Sequence, residues 1–257
     1  MLLEKAWAKV YKSFENIHSG FNEEGLLAVS GAPTISLSSR KDNFLQQIQV
    51  EFGKGSIITC ATSKDVNQLT DAEQENLGVF AAHAYTILKI FKDLSFRNEK
   101  ITLLKIRNPW GRKAWKGDWS FASPIWTNSL REQVNFKNDP KDGTFFISLP
   151  DFIMYFDHIN ISKVNLGFRN SHVTNEGNRF SFYQNRLIIK SKGDYFFTLY
   201  QENPRKYKNS AGVIQKSKSW LFLAQIQKYS EDGKIANIQS IASSGKIFKD
   251  NTIETTL

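Results

Sequence analysis

A histidine and an asparagine, 25 residues apart, are the residues of this sequence whose types and spacing point most directly to chemistry. His83 begins the apolar run 83–88, and Asn108 lies in the second apolar run, 101–111. Read as an antiparallel hairpin that turns near residues 95–99, the two runs bring both side chains to one end of a sheet. An asparagine can orient an imidazole, and that imidazole can hold a thiol as thiolate. The pair would therefore supply two members of a Cys-His-Asn triad.

The residues around Asn108 favour a sheltered hydrogen bond. Pro109 follows it, which disfavours the helical conformation and leaves Asn108 extended at the rim of the sheet. Counting back by twos places Ile106 and Leu104 on the same face, so the amide lies over apolar packing. We expect Trp110 to cover the bond between imidazole and amide from solvent.

The thiol is harder to find, because the sequence contains a single cysteine, Cys60. It lies in the apolar strand pattern 57–61 and is not followed by a glycine-rich helix start. A buried thiol with a high pKa is therefore favoured over a nucleophile. One cysteine also excludes an intrachain disulfide framework and is compatible with a reducing compartment.

Composition indicates a globular protein rather than a membrane or secreted one. Of the 257 residues, 40% are hydrophobic and 23% are charged. No apolar run approaches the roughly 18 residues of a membrane span. The first residues lack the basic start and apolar middle of a signal peptide, so the sequence predicts a cytoplasmic location.

The net charge of +9 raises the question of an anionic partner. Residues 183–257 hold twelve basic and six acidic residues, so much of the excess lies in the last third. No continuous basic run and no nucleic-acid motif is present, which favours a solvated cationic surface and no nucleic-acid binding. A weak attraction of this region to anionic lipid head groups is the alternative.

The N-terminal part predicts helices. Apolar side chains spaced by three and four define one buried stripe over residues 2–17, and its members are Leu3, Trp7, Val10, Phe14 and Ile17. A second helix is expected over residues 42–52, with Phe44, Leu45, Ile48 and Phe52 facing inward. Between the helices, a segment rich in Gly, Ser and Pro that includes residues 30–33 is expected to be a loop.

Strands dominate from Ser56 onward. The pattern predicts strands at residues 57–61, in the hairpin and at residues 144–149. Pro150 and Asp151 suit the first turn of a short helix through Phe156. A further strand is expected to start near Ile161. Beyond about residue 165 the pattern predicts two hairpins, 186–190 with 195–200 and 220–227 with 235–241. The fold class is therefore α+β, with helices on an antiparallel sheet followed by part of an antiparallel β-sandwich.

Several motifs in order resemble the second half of the protease core of the calpains. They are residues 83–85 (His-Ala-Tyr), 107–111 (Arg-Asn-Pro-Trp-Gly), 115–119 (Trp-Lys-Gly-Asp-Trp), 2–9 and 142–148. The resemblance implies a papain-like lobe over residues 1–162 and part of the calpain β-sandwich (C2-like) domain over residues 163–257. It also implies that His83 is the general base, that Asn108 orients it, and that Trp110 shields the pair.

The resemblance places the nucleophile outside this sequence. In papain-like enzymes the histidine follows the cysteine by roughly 130 to 150 residues, and only 82 residues precede His83. We therefore expect a fragment of an intracellular cysteine endopeptidase that acts on protein substrates. Its missing N-terminal half would carry the cysteine, so the chain alone is expected to be inactive. The alternative is a non-catalytic interaction or lipid-binding module of the same fold.

Calcium is the cofactor that the family implies. The positions where calpain cores carry acidic ligands hold Ala114, Phe121 and Thr144 here, and Asp142 alone remains. Because calcium needs six to eight oxygen ligands, several of them anionic, we expect weak or no binding and assign no metal ligand. The remaining histidines receive no role, because none has the partner spacing of a metal site; they are His18, His158 and His172.

Overall fold

The structure is a computed structural model of the chain. It describes residues 2–136 and 142–164, and after these residues 167, 169, 171, 172, 174, 194–199, 206, 223–229, 235–243 and 251–256. The chain divides into two compact units, Phe21–Leu166 and Met1–Gly20 with Gly167–Leu257. None of the helices in these ranges has the length and apolarity that crossing a membrane requires.

The first unit contains both helices and strands, and the described segments after residue 190 that are longer than one residue are strands. The helices are α1 (Leu2–Val10), α2 (Asn22–Ser30), α3 (Phe44–Gly53), α4 (Asp71–Leu77), α5 (Asn128–Gln133) and α6 (Leu149–Tyr155). The strands are β1 (Thr34–Ser38), β2 (Ile57–Ala61), β3 (Ala84–Phe96), β4 (Glu99–Arg107), β5 (Thr144–Ser148), β6 (His158–Ser162), β7 (Asp194–Leu199), β8 (Leu223–Tyr229), β9 (Ile235–Ser243) and β10 (Asn251–Thr256).

The first unit is built on one six-stranded antiparallel sheet in the order β1-β6-β2-β3-β4-β5. Its strands alternate between two apolar clusters because successive side chains point to opposite faces. Leu104 and Ile106 join the cluster that includes residues of α3 and α6, whereas Leu103 joins the cluster that includes Leu130 of α5 and Trp119. The α+β class with helices on an antiparallel sheet is confirmed.

The predicted hairpin is the longest strand pair of this sheet. β3 and β4 pair antiparallel from Thr86 opposite Arg107 to Phe96 opposite Glu99, and residues 97 and 98 form the turn. On its outer sides the base of the hairpin is held by β2 and β5. Its open end therefore lies in the interior of the sheet, where neighbouring strands fix the positions of the first residue before β3 and the first residue after β4.

The predicted helical stripe over residues 2–17 is wrong. α1 ends at Val10, and Lys12 adopts a left-handed conformation with φ +76°, after which a single 3₁₀ turn spans Glu15–Ile17. The break in the helix ends the periodicity on which the stripe depends. Leu3, Val10 and Phe14 are accordingly exposed, at 74%, 53% and 52% of their surface.

The loop predicted between the first two helices is also wrong, because it contains α2 and β1. Gly31 is the left-handed residue that ends α2, with φ +64° and an N–H that donates to Leu27. Pro33 directly precedes β1. The glycine and proline therefore mark the ends of two elements. The expected helix at residues 42–52 is confirmed as α3, with Phe44 and Ile48 buried and Leu45 and Phe52 partly buried against the core.

The described strands of the C-terminal part agree partly with the predicted hairpins. β8 and β9 pair antiparallel, as predicted for residues 220–227 and 235–241. β7 covers most of 195–200 and pairs with β10, whereas residues 186–190 lie outside the described residues. The domain boundary at residues 162 and 163, the β-sandwich and the lipid contact stay predictions.

Gly143 couples the sheet to the turn that follows β4, and this generates a prediction. It has φ +74°, and a Cβ there would lie 2.3 Å from the carbonyl oxygen of Asn108. Gly143→Ala should lower the free energy of unfolding by more than the ~1–2 kcal/mol that a left-handed residue costs, because the clash adds to it. Urea unfolding measures the change.

Gly25→Ala is the matched control. Gly25 lies inside α2, and a Cβ there would meet nothing within 4 Å. Alanine should leave the stability unchanged or raise it by roughly 0.5–1 kcal/mol, as expected for a glycine inside a helix. Equal unfolding curves for the Gly143 and Gly25 variants would contradict this account of the turn.

Candidate active site

The hairpin brings His83 and Asn108 into contact. His83 is the residue before β3, Asn108 is the residue after β4, and their atoms Nε2 and Oδ1 are 2.9 Å apart. The backbone N–H of Asn108 donates to the carbonyl of Gly143 at 2.8 Å, which ties the asparagine to β5 as well. The predicted contact is thus present, and Asn108 is fully buried.

The side-chain amide of Asn108 has one possible orientation. Its Oδ1 accepts a hydrogen bond from the backbone N–H of Trp110 at 3.1 Å, and its Nδ2 donates to the carbonyl of Lys113 at 3.1 Å. A flipped amide would set its NH₂ group against the N–H of Trp110 and its oxygen against the carbonyl oxygen of Lys113. The oxygen therefore faces His83, so Nε2 of His83 carries the proton that this bond needs. In the neutral imidazole, Nδ1 is then the basic nitrogen.

Aromatic rings enclose the imidazole. The ring of Trp110 lies 4.1 Å from that of His83 and is tilted by 34°, Tyr85 contacts it edge-on at 4.7 Å, and Phe80 is edge-on at 6.5 Å. Trp110 is itself half exposed and contacts Phe80 at 5.0 Å. The predicted cover over the imidazole is therefore present, and Phe80 and Tyr85 extend it.

This enclosure sets the protonation of the imidazole. Burial lowers the pKa of His83 below its usual value, and the hydrogen bond with Asn108 opposes that shift in part. With nothing else bound, the neutral ring is favoured at neutral pH. A neutral ring with a free Nδ1 can accept a proton from a group placed against it.

Comparison with known proteins identifies the family. A sequence model described as calpain family cysteine protease matches residues 1–163. The chain belongs to the calpain family of cysteine proteases. This match covers more than half of the chain and includes the whole six-stranded sheet, so the fold of this unit is that of a papain-like calpain lobe.

Individual calpains agree with the family assignment. Calpain-9 of Mus musculus is 31% identical over 170 residues, which is 63% of this chain and 24% of that protein. The calpain-1 catalytic subunit of Gallus gallus is 34% identical over 169 residues, 63% of this chain and 23% of that protein. Calpain-B of Drosophila melanogaster is 32% identical over 172 residues, 63% and 18% respectively. The chain thus matches about a quarter or less of the length of these relatives.

Cys60 of this calpain-family chain is inaccessible. It is fully buried in β2, directly opposite Tyr85 in the sheet register, and burial raises the pKa of its thiol well above the usual range. Both properties oppose thiolate chemistry. The predicted buried location is confirmed.

Calcium does not fit the residues at the matching calpain positions. The Asp142 carboxylate accepts the N–H of Thr144 at 2.6 Å, and Phe121 packs edge-on against Phe136 and Phe146. Ala114 has no side-chain oxygen. Across the residues that the structure describes, no three His, Cys, Asp or Glu side chains are grouped as metal ligands would be. A donor set with one carboxylate falls short of what calcium requires.

The other histidines have different surroundings. His18 Nδ1 bonds the carbonyl of Glu15, His158 lies 3.6 Å from the carboxylate of Asp157, and His172 is exposed.

Sequence reasoning missed two residues that do contribute. Phe80 precedes β3 by four residues and carries no motif, and Lys113 orients Asn108 through its carbonyl, which any residue type provides.

Lys113 also ties the turn after β4 to α4. Its ammonium pairs with the carboxylate of Glu75 and lies 5.2 Å from the ring of Phe80. Sequence reasoning missed α4 itself, although a signal was available. Thr70 accepts from the N–H of Glu73, whose carboxylate accepts from the N–H of Thr70, and this reciprocal pattern marks a helix start.

The lowered pKa of His83 predicts how stability varies with pH. The unfolded chain takes up a proton near pH 6.5, whereas the folded chain takes it up at a lower pH. The free energy of unfolding should therefore fall as the pH decreases below about 6.5. His83→Gln removes this contribution, so urea unfolding at about pH 7.5 and about pH 5.5 should differ less in the variant. An equal difference in both proteins would contradict the burial of a neutral imidazole.

The donor set predicts the response to calcium. Titration of the chain by calorimetry should give no binding tighter than about 10⁻⁴ M, the range of weak calcium modules. Asp142→Asn, which keeps the acceptor for Thr144, should behave as the unchanged protein does. A micromolar affinity that the Asp142 variant loses would show that this loop is a calcium site after all.

Proposed function

We propose that this chain supplies the histidine and the asparagine of a calpain-like Cys-His-Asn triad. The observation that carries the proposal is the 2.9 Å contact between His83 Nε2 and Asn108 Oδ1, in a chain of the calpain family. His83 is the general base and acid, Asn108 orients it, and Trp110 shields their hydrogen bond. The reaction is hydrolysis of peptide bonds in protein substrates.

The proton inventory follows from the fixed amide of Asn108. The Nε2–H group of His83 stays hydrogen-bonded to Asn108 Oδ1 throughout the reaction, so each proton transfer occurs at Nδ1. Nδ1 takes the proton of the cysteine thiol, and the thiolate attacks the peptide carbonyl. Nδ1–H then protonates the leaving amine as the C–N bond breaks. In the second half, Nδ1 takes a proton from water, hydroxide adds to the thioester, and the thiolate leaves.

The nucleophile in this proposal belongs to polypeptide outside these 257 residues. The burial and raised pKa of Cys60 support that assignment. The proposed partner is the cysteine-bearing half of a calpain core, and the chain alone is inactive. A cytoplasmic location is part of the same proposal and draws support from the single cysteine.

Reconstitution tests the function. The chain is mixed with the cysteine-bearing half of a calpain core, such as that of calpain-9, and cleavage of a fluorogenic peptide is followed. We expect activity from the mixture and none from the chain alone. His83→Ala should reduce kcat/KM by about 10²- to 10⁴-fold, the contribution of a general acid-base group. His158→Ala, at an exposed histidine, is the matched control and should have no effect.

A thiol-directed peptide epoxide identifies the nucleophile in the same mixture. Mass spectrometry should find the label on the cysteine of the added half, and Cys60→Ser should leave both labelling and cleavage unchanged. Label on Cys60, or loss of activity in the Cys60 variant, would overturn the assignment. A folded complex without activity would instead favour the non-catalytic module.

A further inference from the structure

The hydroxyl of Thr62 lies against the backbone of His83. Thr62 directly follows β2, is 4% exposed, and donates its N–H to the carbonyl of His83 at 3.1 Å, which continues the ladder between β2 and β3 by one pair. The N–H of His83 donates to Thr62 Oγ1 at 3.1 Å, whereas in a continued ladder it would donate to the Thr62 carbonyl. At the pair formed by Thr62 and His83, a side-chain oxygen thus takes the place of the backbone carbonyl as the acceptor of the His83 N–H.

The same hydroxyl also holds Phe80. Thr62 Oγ1 donates to the carbonyl of Phe80 at 2.6 Å, and the N–H of Phe80 donates to Tyr85 Oη at 3.1 Å. Phe80 is therefore fixed through both its carbonyl and its N–H. Because its ring contacts both His83 and Trp110, the position of Phe80 determines one side of the enclosure around the imidazole.

The turn before His83 needs such contacts. Ala82 has φ +47°, an unfavourable conformation for a residue with a side chain, and its N–H donates to the carbonyl of Ser63 at 2.8 Å. Strained backbone persists where the surroundings determine it. Thr62 and Ser63 supply partners for residues 80, 82 and 83, and the N–H of Ala81 donates to Gln74 Oε1 at 2.8 Å.

We propose that Thr62 is a positioning residue for His83. By accepting from the His83 N–H and donating to the Phe80 carbonyl, its hydroxyl keeps the imidazole within hydrogen-bonding distance of Asn108. The role deepens the proposed function and rests on it, since positioning matters for catalysis only if His83 is the base. The effect of Thr62 on the hydrogen bond between His83 and Asn108 can be measured in this chain without the cysteine-bearing half.

Nuclear magnetic resonance of the chain tests this effect. The readout is the rate at which the Nε2 proton of His83 exchanges with solvent, because the bond to Asn108 protects it. Thr62→Val keeps the shape and removes the hydroxyl, and it should speed this exchange by about tenfold, the equivalent of one hydrogen bond. Thr62→Ser keeps the hydroxyl and should restore the slow rate.

Thr86→Val is the matched control. Thr86 is a β-branched residue three positions after His83 on β3, and its hydroxyl makes no hydrogen bond with another described residue. In the Thr86→Val protein, the exchange rate of the His83 Nε2 proton should stay within about twofold of the rate in the unchanged protein. This change is well below the effect of losing one hydrogen bond. Equal rates in the Thr62→Val protein and the unchanged protein would overturn the proposal, as would a Thr62→Ser protein as fast as Thr62→Val.

Two further measurements separate the possible failures. If Thr62→Val does not fold, the unchanged protein itself provides the test. It should show a nuclear Overhauser contact between the Thr62 hydroxyl proton and the His83 N–H, and the absence of that contact overturns the proposal. In the reconstituted enzyme, Thr62→Val should lower kcat about tenfold with KM unchanged. An inactive reconstitution would count against the proposed function alone, because the exchange rates would still decide the role of Thr62.

Discussion

The fixed side-chain amide of Asn108 is the constraint on which the site depends. It is held between the N–H of Trp110 and the carbonyl of Lys113, two backbone groups of the short segment 108–113 after β4. That segment decides which atom faces His83, and the atom decides which imidazole nitrogen carries the proton. A short loop of backbone therefore determines that Nδ1 is the nitrogen available for proton transfer. Burial of the amide removes competing water from the bond.

The sheet serves this geometry by placing two chain segments at one point. β3 and β4 lie in the interior of the sheet, so β2 and β5 hold the residues on both sides of the pair. Gly143, directly before β5, lets the backbone approach Asn108 closely, and the hydroxyl of Thr62, directly after β2, accepts a hydrogen bond from the His83 N–H. The aromatic rings of Phe80, Tyr85 and Trp110 then close around an imidazole whose backbone is already fixed.

Side-chain pattern and spacing predicted the centre of this arrangement and missed its surroundings. The contact between His83 and Asn108 was predictable because a hairpin register follows from two apolar runs. Lys113 acts through its backbone carbonyl, which every residue type carries, so no pattern of side chains indicates it. Phe80 acts through its ring, but it lies in the turn before β3, where no periodicity indicates which way a side chain faces. The helical stripe failed at Lys12 because periodicity does not report a left-handed residue. The helix α2 was missed because Gly31, which ends α2, and Pro33, which directly precedes β1, are residue types that are typical of loops.

The fixed amide of Asn108 requires that the imidazole of His83 carries its neutral-state proton on Nε2. Nitrogen-15 chemical shifts of the four histidines in the labelled chain at about pH 7.5, with His83→Gln to assign the signal, test it most directly. One imidazole, assigned to His83, should show a protonated Nε2 and an unprotonated Nδ1. A His83 signal with the proton on Nδ1, or averaged between both nitrogens, would contradict this placement of the proton.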